Sequence, residues 1–290
     1  MKTLIILAAG NGTRFGGPKQ LTGFGPLNRP LMAYNIDNAY TAGYRNFIIV
    51  CQHQHLNKIE ALAFYRKYPD SQYHTVIQSN QHLPNGVSIP IERTKPLGTA
   101  HALWCCHQLI NENFTVINAD DYYGAHAFEL LFNANKKNNK QHYLVGYPIS
   151  NTLSEHGGVN RGLCNISTNN QLVNIAEVTN IRQLDTNIIG NTTQDTSIKI
   201  SNLALVSMNC WSFHPSIVSV LANLITQSLT LSSNTNECFL PDAAMQALAQ
   251  KKACVEVLTS HDEWFGVTYA ADSDLVDKKL AILTGKGLFH

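Results

Sequence analysis

Clustered positive charge and paired cysteines are both missing from this chain. The formal net charge is only +1 and no long basic run occurs. The broad electrostatic footprint needed for duplex nucleic acid is therefore absent, although a local anion pocket is not excluded. Seven cysteines, at 51, 105, 106, 164, 210, 238 and 254, make an odd count with no C-x-x-C pair. That pattern reads as reduced thiols of the cytoplasm and excludes a disulfide frame or a paired-cysteine zinc site. No apolar stretch approaches the ~20 residues of a membrane span. Met1-Lys2 followed by apolar Thr3–Ala9 superficially resembles a secretory signal. The stretch is short for one, however, and it runs straight into Gly10-Asn11-Gly12-Thr13-Arg14. The expectation is a cytoplasmic protein with neither membrane nor nucleic-acid partner; a homo-oligomer is left open. Internal repeats and a Gly/Pro-rich domain linker are also lacking.

What is present is an ordinary globular composition. The 290 residues and 44% hydrophobic content are enough for one large α/β domain, or a main domain with a small appendage. Over the first half, apolar runs bounded by turn residues alternate with helix-compatible stretches. Leu4–Ala8, Phe47–Cys51, Val87–Glu92, Phe114–Asn118 and Tyr143–Tyr147 are predicted strands. Leu31–Ala42, Asn57–Lys67, Thr99–Ile110 and Ala125–Asn135 are predicted helices between them. Strands joined by helical crossovers imply a doubly wound, mostly parallel sheet of α/β class, with ligands at the carboxyl ends of the strands. Gly10, Glu92 and Asp120 all fall there. In the second half, Cys164–Ser167, Val173–Val178, Leu203–Met208 and Val255–Leu258 are predicted strands and Asp274–Leu283 a closing helix. The Asn- and Thr-rich stretch Asp185–Ser197 is expected as a mobile surface loop suited to a lid.

The most informative stretch is Leu4-Ile5-Ile6-Leu7-Ala8-Ala9-Gly10-Asn11-Gly12-Thr13-Arg14-Phe15-Gly16-Gly17-Pro18-Lys19. A buried strand runs into a loop of four glycines carrying two cations. Glycines let backbone N–H groups approach an anion, and Arg14 and Lys19 can neutralise phosphate charge that builds during transfer. Two familiar phosphate loops do not fit. A dinucleotide G-x-G-x-x-G would need Gly where Phe15 stands, and a Walker loop would need Lys where Pro18 stands. A tight strand-to-helix turn with incidental charges is the plainer alternative.

Ala8-Ala9-Gly10-x-Gly12-Thr13-Arg14 with Pro18-Lys19, and then Leu27-Asn28-Arg29-Pro30-Leu31 before the first helix, resembles the sugar-1-phosphate nucleotidyltransferase superfamily. That resemblance implies a Rossmann-like nucleotide-diphospho-sugar transferase fold. It makes Arg14 and Lys19 the catalytic cations and Ala8, Ala9, Gly10, Gly12 and Thr13 part of the nucleotide site. It further implies an NTP-binding half over 1–125, an acceptor-binding half over 126–272 and a C-terminal helix over 273–290, all in one domain.

Three further segments extend the likeness. Pro96-Leu97-Gly98-Thr99-Ala100-His101-Ala102-Leu103 resembles a base-binding segment of UDP-N-acetylglucosamine pyrophosphorylases, which adds Gly98 and Thr99 to the nucleotide site. Arg93 and Pro96 stand where those enzymes often use Gln, so UTP is the leading donor with the base left open. Asn118-Ala119-Asp120-Asp121 resembles the family's metal motif and makes Asp120 a Mg²⁺ ligand; a carboxylate ending a buried strand needs such compensation. Gly162 and Glu177 match acceptor-contacting positions in order, with Asn209 a third candidate of suitable chemistry. Within Trp264–Tyr269, where the family places its second metal ligand, there is no Asp or Asn. Thr268 holds the aligned place and Asp272 follows shortly after, as the candidate second ligand.

Similar motifs occur in glucose-1-phosphate thymidylyltransferases. The implied reaction joins a nucleoside monophosphate from an NTP to a phosphorylated small molecule, most simply a sugar 1-phosphate, using Mg²⁺. The rivals are a glycosyltransferase of similar architecture, which leaves the Arg14/Lys19 loop unexplained, and a nucleotide-sensing relative without activity.

Overall fold

A computed structural model describes residues 1–10, 15–62, 67–89, 93, 96–137, 140–154, 157–231, 237–251, 253–267 and 270–290. In chain order the strands and helices are β1 (Thr3–Ala8), α1 (Leu31–Ala42), β2 (Asn46–Cys51), α2 (Leu56–Glu60), β3 (Gln72–Ile77), α3 (Thr99–Trp104), β4 (Phe114–Asn118), β5 (Asp121–Tyr122), α4 (Ala125–Lys136), β6 (His142–Pro148), β7 (Val159–Ile166), β8 (Leu172–Leu184), β9 (Asn187–Thr192), β10 (Ser197–Ile200), β11 (Leu205–Phe213), α5 (Ile217–Leu231), α6 (Leu240–Ala249), β12 (Val255–Thr259), β13 (Phe265–Gly266) and α7 (Ser273–Gly285).

The main sheet runs β10-β9-β8-β7-β11-β4-β1-β2-β3, with β6 on the other edge of β11 and β12 beyond it. Strands β3, β2, β1 and β4 are parallel, as are β12 and β6, while β11 is antiparallel to both β4 and β6. Strand β1 is buried along its whole length. Its side chains alternate between two cores: Leu4, Ile6 and Ala8 pack with α1 and α4, and Ile5 and Leu7 with α3, α5 and α6. That two-sided burial is why the central strands read as unbroken apolar runs.

A third apolar cluster joins Phe24, Leu31, Tyr34, Tyr122, Phe265, Val276, Leu280 and Phe289. It fastens α7 against the small ladder of β5 and β13, where Tyr122 pairs with Phe265 and Asp121 with Gly266. Burying an aromatic or aliphatic side chain in such a cluster contributes ~1.5–3 kcal/mol. The chain's last helix therefore supports the turn that presents the two aspartates.

Strand β11 has a forked neighbourhood that creates the site. Ser207 lies between Gly146 of β6 and Gly162 of β7, whereas Trp211 lies between Leu144 of β6 and Val116 of β4. One edge is held by β6 throughout; the other passes from β7 to β4. The register shifts between Ser207 and Trp211, and Asn209 has φ +62°. A bulge of this kind re-aims side chains where pairing changes hands.

Several predicted elements differ. Val87–Ile89 carry no strand, and the rest of that predicted strand lies outside the described residues; the parallel strand beside β2 is instead β3. Gln72-Tyr73-His74-Thr75 alternates in polarity because β3 closes the sheet's margin and is covered less completely. The predicted helix Thr99–Ile110 stops at Trp104, followed by a short 3₁₀ turn at His107–Leu109. Asp185–Ser197 is not a loop. It forms β9 and the turns on either side, with Asp185 at φ +52° and Asp195 at φ +58° reversing the chain. Asp tolerates that left-handed conformation, so polar turn residues concealed a β-meander. Helices α5 and α6 have no counterpart in the sequence reading.

Candidate active site

The carboxyl ends of β1 and β4 bring together the ends of the two strongest sequence motifs. Past β1, the Ala9 carbonyl accepts from Gln52 Nε2 at 2.8 Å and the Gly10 carbonyl from Gln20 Nε2 at 3.2 Å. The side chains of Ala8 and Ala9 are buried in opposite cores, so their outward face toward any nucleotide is backbone. Gly10 is exposed, with open space where a Cβ would stand. Gly12, Thr13 and Arg14 lie outside the described residues.

Lys19 opens a short 3₁₀ turn and returns to the strand ends. Its Nζ forms an ion pair with Asp120 and donates to the Val267 carbonyl at 2.9 Å. The same segment closes on Asp120 from the other side, where the Val267 N–H donates to the Asp120 carbonyl at 3.2 Å. Both partners are about one-fifth exposed, so the pair faces solvent and a ligand can reach it.

Asp121 is more enclosed. Its Oδ2 accepts from Asn118 Nδ2 at 2.9 Å and lies 3.1 Å from the Tyr123 hydroxyl. Burial, reinforced by the negative charge of Asp120, pushes its carboxyl above the ordinary range despite these donors. The arrangement continues into β11. Asn209 Nδ2 donates to Asn118 Oδ1 at 2.7 Å, and Asn209 Oδ1 accepts from Trp211 Nε1 at 2.9 Å. Trp211, Asn209, Asn118 and Asp121 thus form one chain of oriented side chains.

A cavity of about 310 Å³ opens beside this chain. Asn118, Asp121, Gly162, Asn209, Thr99 and Arg161 are among its walls. Gly162 keeps it open: a Cβ there would come within 2.7 Å of Ile175 Cγ2. Glu177 sits opposite Gly162 across the β7–β8 pair but is exposed and not part of the wall.

Arg93 and Pro96–Thr99 form the neighbouring shelf. Arg93 is buried and donates from Nη2 to the Pro96 carbonyl at 3.1 Å. Gly98 has φ +92°, and a Cβ would collide with the backbone of Cys238. Leu97 O accepts from Cys238 N at 2.8 Å and Ala100 N donates to Cys238 O at 2.9 Å, clamping the two segments together. Thr99 Oγ1 accepts from the Leu240 N–H at 3.0 Å, so it caps α6 rather than its own helix. Gln78 Nε2 reaches Gly98 O at 3.1 Å and His101 Nδ1 at 3.2 Å.

Asp272 ends a 3₁₀ turn at the start of α7, and Thr268 lies outside the described residues. Among the described residues no three His, Cys, Asp or Glu side chains gather around one point, so Asp272 is not drawn together with both Asp120 and Asp121.

A model of the nucleotidyl transferase family matches residues 3–267. The chain belongs to that family. Nucleotidyl transfer is thus its reaction class, and the mixed sheet is the family's Rossmann-like fold. No curated protein matches the sequence. Among solved structures, the inositol-1-phosphate CTP transferase from T. maritima is 15% identical with a TM-score of 0.65, covering 98% of this chain and 97% of that one. A Bacillus anthracis protein assigned as a glucose-1-phosphate thymidylyltransferase, solved with a sucrose, is 12% identical with a TM-score of 0.67, covering 97% and 96%. HddC from Yersinia pseudotuberculosis is 14% identical with a TM-score of 0.59, covering 96% and 99%. At these identities the likeness shows the fold.

For this nucleotidyl transferase, sequence reasoning missed Asn118, Gln78, Arg161 and Trp264. Asn118 had a local signal, since it ends the same strand as the aspartates. The others are placed by contacts between distant segments.

Proposed function

We propose that this nucleotidyl transferase moves a nucleoside monophosphate from an NTP, with UTP the leading donor, onto a sugar 1-phosphate. The observation that carries the reading is the Lys19–Asp120 pair at the strand ends, one residue from Asp121, which lines the cavity. A cavity of about 310 Å³ suits a single sugar ring better than a polymer. Among the described residues no helix is long and apolar enough to cross a membrane.

Mg²⁺ fits the residues present. Asp120 and Asp121 offer hard carboxylate oxygens; burial raises Asp121 first and the adjacent Asp120 charge adds to it, and a dication would offset both. Asp120 would hold the ion, with Asp121 beside it and phosphates and water completing the shell. Asp272 is retained as a proposed more distant contributor. When bound, the ion supplies neutralisation of phosphate oxygens.

The chain's own groups do the rest. Lys19 leaves Asp120 to take up negative charge on the NTP phosphates, aided by Arg14. The backbone from Ala8 to Thr13 wraps the triphosphate. Arg93, Pro96, Gly98 and Thr99 form the shelf for the base. Asn118 and Tyr123 fix the Asp121 carboxyl, while Gly162 and Asn209 border the acceptor; Glu177, opposite Gly162 on the β7–β8 pair, stays outside the wall. An acceptor phosphate oxygen then attacks the α-phosphorus in line. One P–O bond forms as the bond to the β-phosphate bridge breaks, and pyrophosphate leaves. Positioning and charge neutralisation suffice without a covalent enzyme intermediate.

The test is pyrophosphate release from UTP, CTP, dTTP, ATP and GTP, each paired with hexose 1-phosphates, N-acetylhexosamine 1-phosphates and inositol 1-phosphate. Turnover with a sugar 1-phosphate supports the reading, and turnover only with a non-sugar acceptor overturns it. A base other than uracil would correct the donor alone.

A further inference from the structure

The acceptor cavity has one cation in its wall among the described residues, Arg161 on β7. Its Nη1 donates to the Asn160 carbonyl at 2.9 Å and its Nη2 to the Thr152 carbonyl at 2.5 Å. Its Nε–H is buried without a hydrogen-bond partner among the described residues. The guanidinium lies 4.8 Å over the ring of Trp264, whose own Nε1–H is likewise buried and has no partner among the described residues. Two orphan donors therefore stand side by side. Buried donors of this kind are rare and point to a missing acceptor group.

The pair is also next to the reacting centre. A Cβ on Gly266 would meet both the Asp121 carboxylate and, at 3.1 Å, the Trp264 ring. Burial lowers Arg161 to about 10, opposed by the nearby charge of Asp121; it remains a cation at neutral pH. An acceptor carrying a phosphate must enter past Asp121 and beside Asp120. The amides of Asn118, Asn160 and Asn209 supply no positive charge, and Lys19 is committed to Asp120 and the donor side. A guanidinium on an aromatic face is well suited to binding phosphate, because Nε–H and the remaining Nη hydrogens make a fork for two oxygens.

We propose that Arg161, backed by the Trp264 ring, grips the phosphate of the incoming acceptor and makes the enzyme selective for phosphorylated over neutral acceptors. The inference rests on the reading of this cavity as the acceptor site. It assigns the missing cation to a position that no part of the sequence reading had marked.

The experiment compares wild type with Arg161→Lys, Arg161→Ala and Trp264→Phe, using the sugar 1-phosphate that wild type turns over. Loss of a hydrogen-bonded charge contact should raise the acceptor KM ~10–100-fold, with the NTP KM and the Mg²⁺ requirement unchanged. Arg161→Lys should recover only part, since an ammonium lacks the fork, and added guanidinium should partly restore Arg161→Ala. Trp264→Phe, which deletes the indole N–H and keeps a ring, should raise the acceptor KM several-fold. Thermal melting and NTP calorimetry establish that each variant is folded. If Arg161→Ala fails that check because the Thr152 contact is lost, Arg161→Lys and Trp264→Phe decide. Acceptor KM within two-fold of wild type in the folded variants, or an equal rise for NTP, overturns the proposal. If wild type turns over no phosphorylated sugar, the parent reading fails on its own. Calorimetry with glucose 1-phosphate then settles the grip: binding abolished in Arg161→Ala supports it, and binding unchanged in that variant, or absent from wild type, overturns it.

Discussion

Gly98→Ala is expected to unfold the base shelf before it says anything about the base. The native backbone at Gly98 has φ +92° and ψ −174°, a region that residues with a Cβ enter at a cost of ~1–3 kcal/mol. The new methyl would lie 2.9 Å from Cys238 N and closer still to its carbonyl oxygen. Relief requires moving the clamp in which Cys238 bonds Leu97 and Ala100, each bond being worth ~0.5–1.5 kcal/mol net. The two effects together predict a loss of about 2–6 kcal/mol, a large part of an ordinary domain's stability. Urea unfolding of wild type and Gly98→Ala at matched pH measures it, with NTP calorimetry on the same samples. A glycine conserved in shape only for a flat base would give weaker NTP binding with stability unchanged. A loss under 0.5 kcal/mol with intact NTP binding would refute both the strained backbone and the Cys238 clamp.

Lys19→Gln should lower turnover ~10²–10³-fold, the usual loss for one oriented charge contact at developing phosphate charge; pyrophosphate-release kinetics within ten-fold of wild type would remove Lys19 from the mechanism. Asn209→Ala should break the amide chain to Asp121 and raise the Mg²⁺ concentration needed for half-maximal rate, with a stability loss of ~1–3 kcal/mol from the orphaned Trp211 and Asn118 groups. Unchanged Mg²⁺ dependence would uncouple Asn209 from the aspartates. His142 is buried and held down to about 4 by desolvation, so the unfolded chain binds its proton first as pH falls below about 6.5. Its stability contribution is complete above that pH and is lost through the folded value, ~3 kcal/mol by pH 4 at ~1.4 kcal/mol per unit. The stability difference between wild type and His142→Gln, from urea unfolding, should be constant above pH 6.5 and shift by ~3 kcal/mol against wild type between pH 6.5 and pH 4; a difference constant across that window would refute it.

The sequence revealed what is local. Strand β1, the start of the glycine loop, the end of β4 and helix α1 are each written in a continuous run, and the structure has β1, β4 and α1 within a residue of the expected bounds. Fold class followed from their alternation. The polar contacts that assemble the site are not local. Lys19 meets Val267 across 248 residues of sequence and Asn118 meets Asn209 across 91. Asn209 was singled out for an amide's chemistry toward a sugar, whereas its donor and acceptor are already engaged by Asn118 and Trp211. Arg161 carried no local signal, because nothing in Asn160-Arg161-Gly162 announces a tryptophan about a hundred residues later. Gly98 was read for its flatness toward a base; its backbone angle and the Cys238 clamp supply an independent reason for glycine.

The fork in β11 explains how one sheet can serve two substrates. On the β4 side the edge is parallel Rossmann architecture, and its carboxyl ends carry Asp120 and the donor loop. On the β7 side the edge is an antiparallel meander, and it carries Gly162 and Arg161. The bulge at Asn209 lies where one gives way to the other, and its amide is bonded to Asn118 on the donor side. Changes along β7 and β8 can therefore reshape the acceptor wall while leaving the β1 and β4 ladders intact. Changes at Asn209, Asn118 or Asp121 should disturb both substrates together, because those side chains are hydrogen-bonded in series. Double-mutant cycles should then find Arg161 and Lys19 nearly additive in their effects on turnover, because the proposed roles put them on different phosphates.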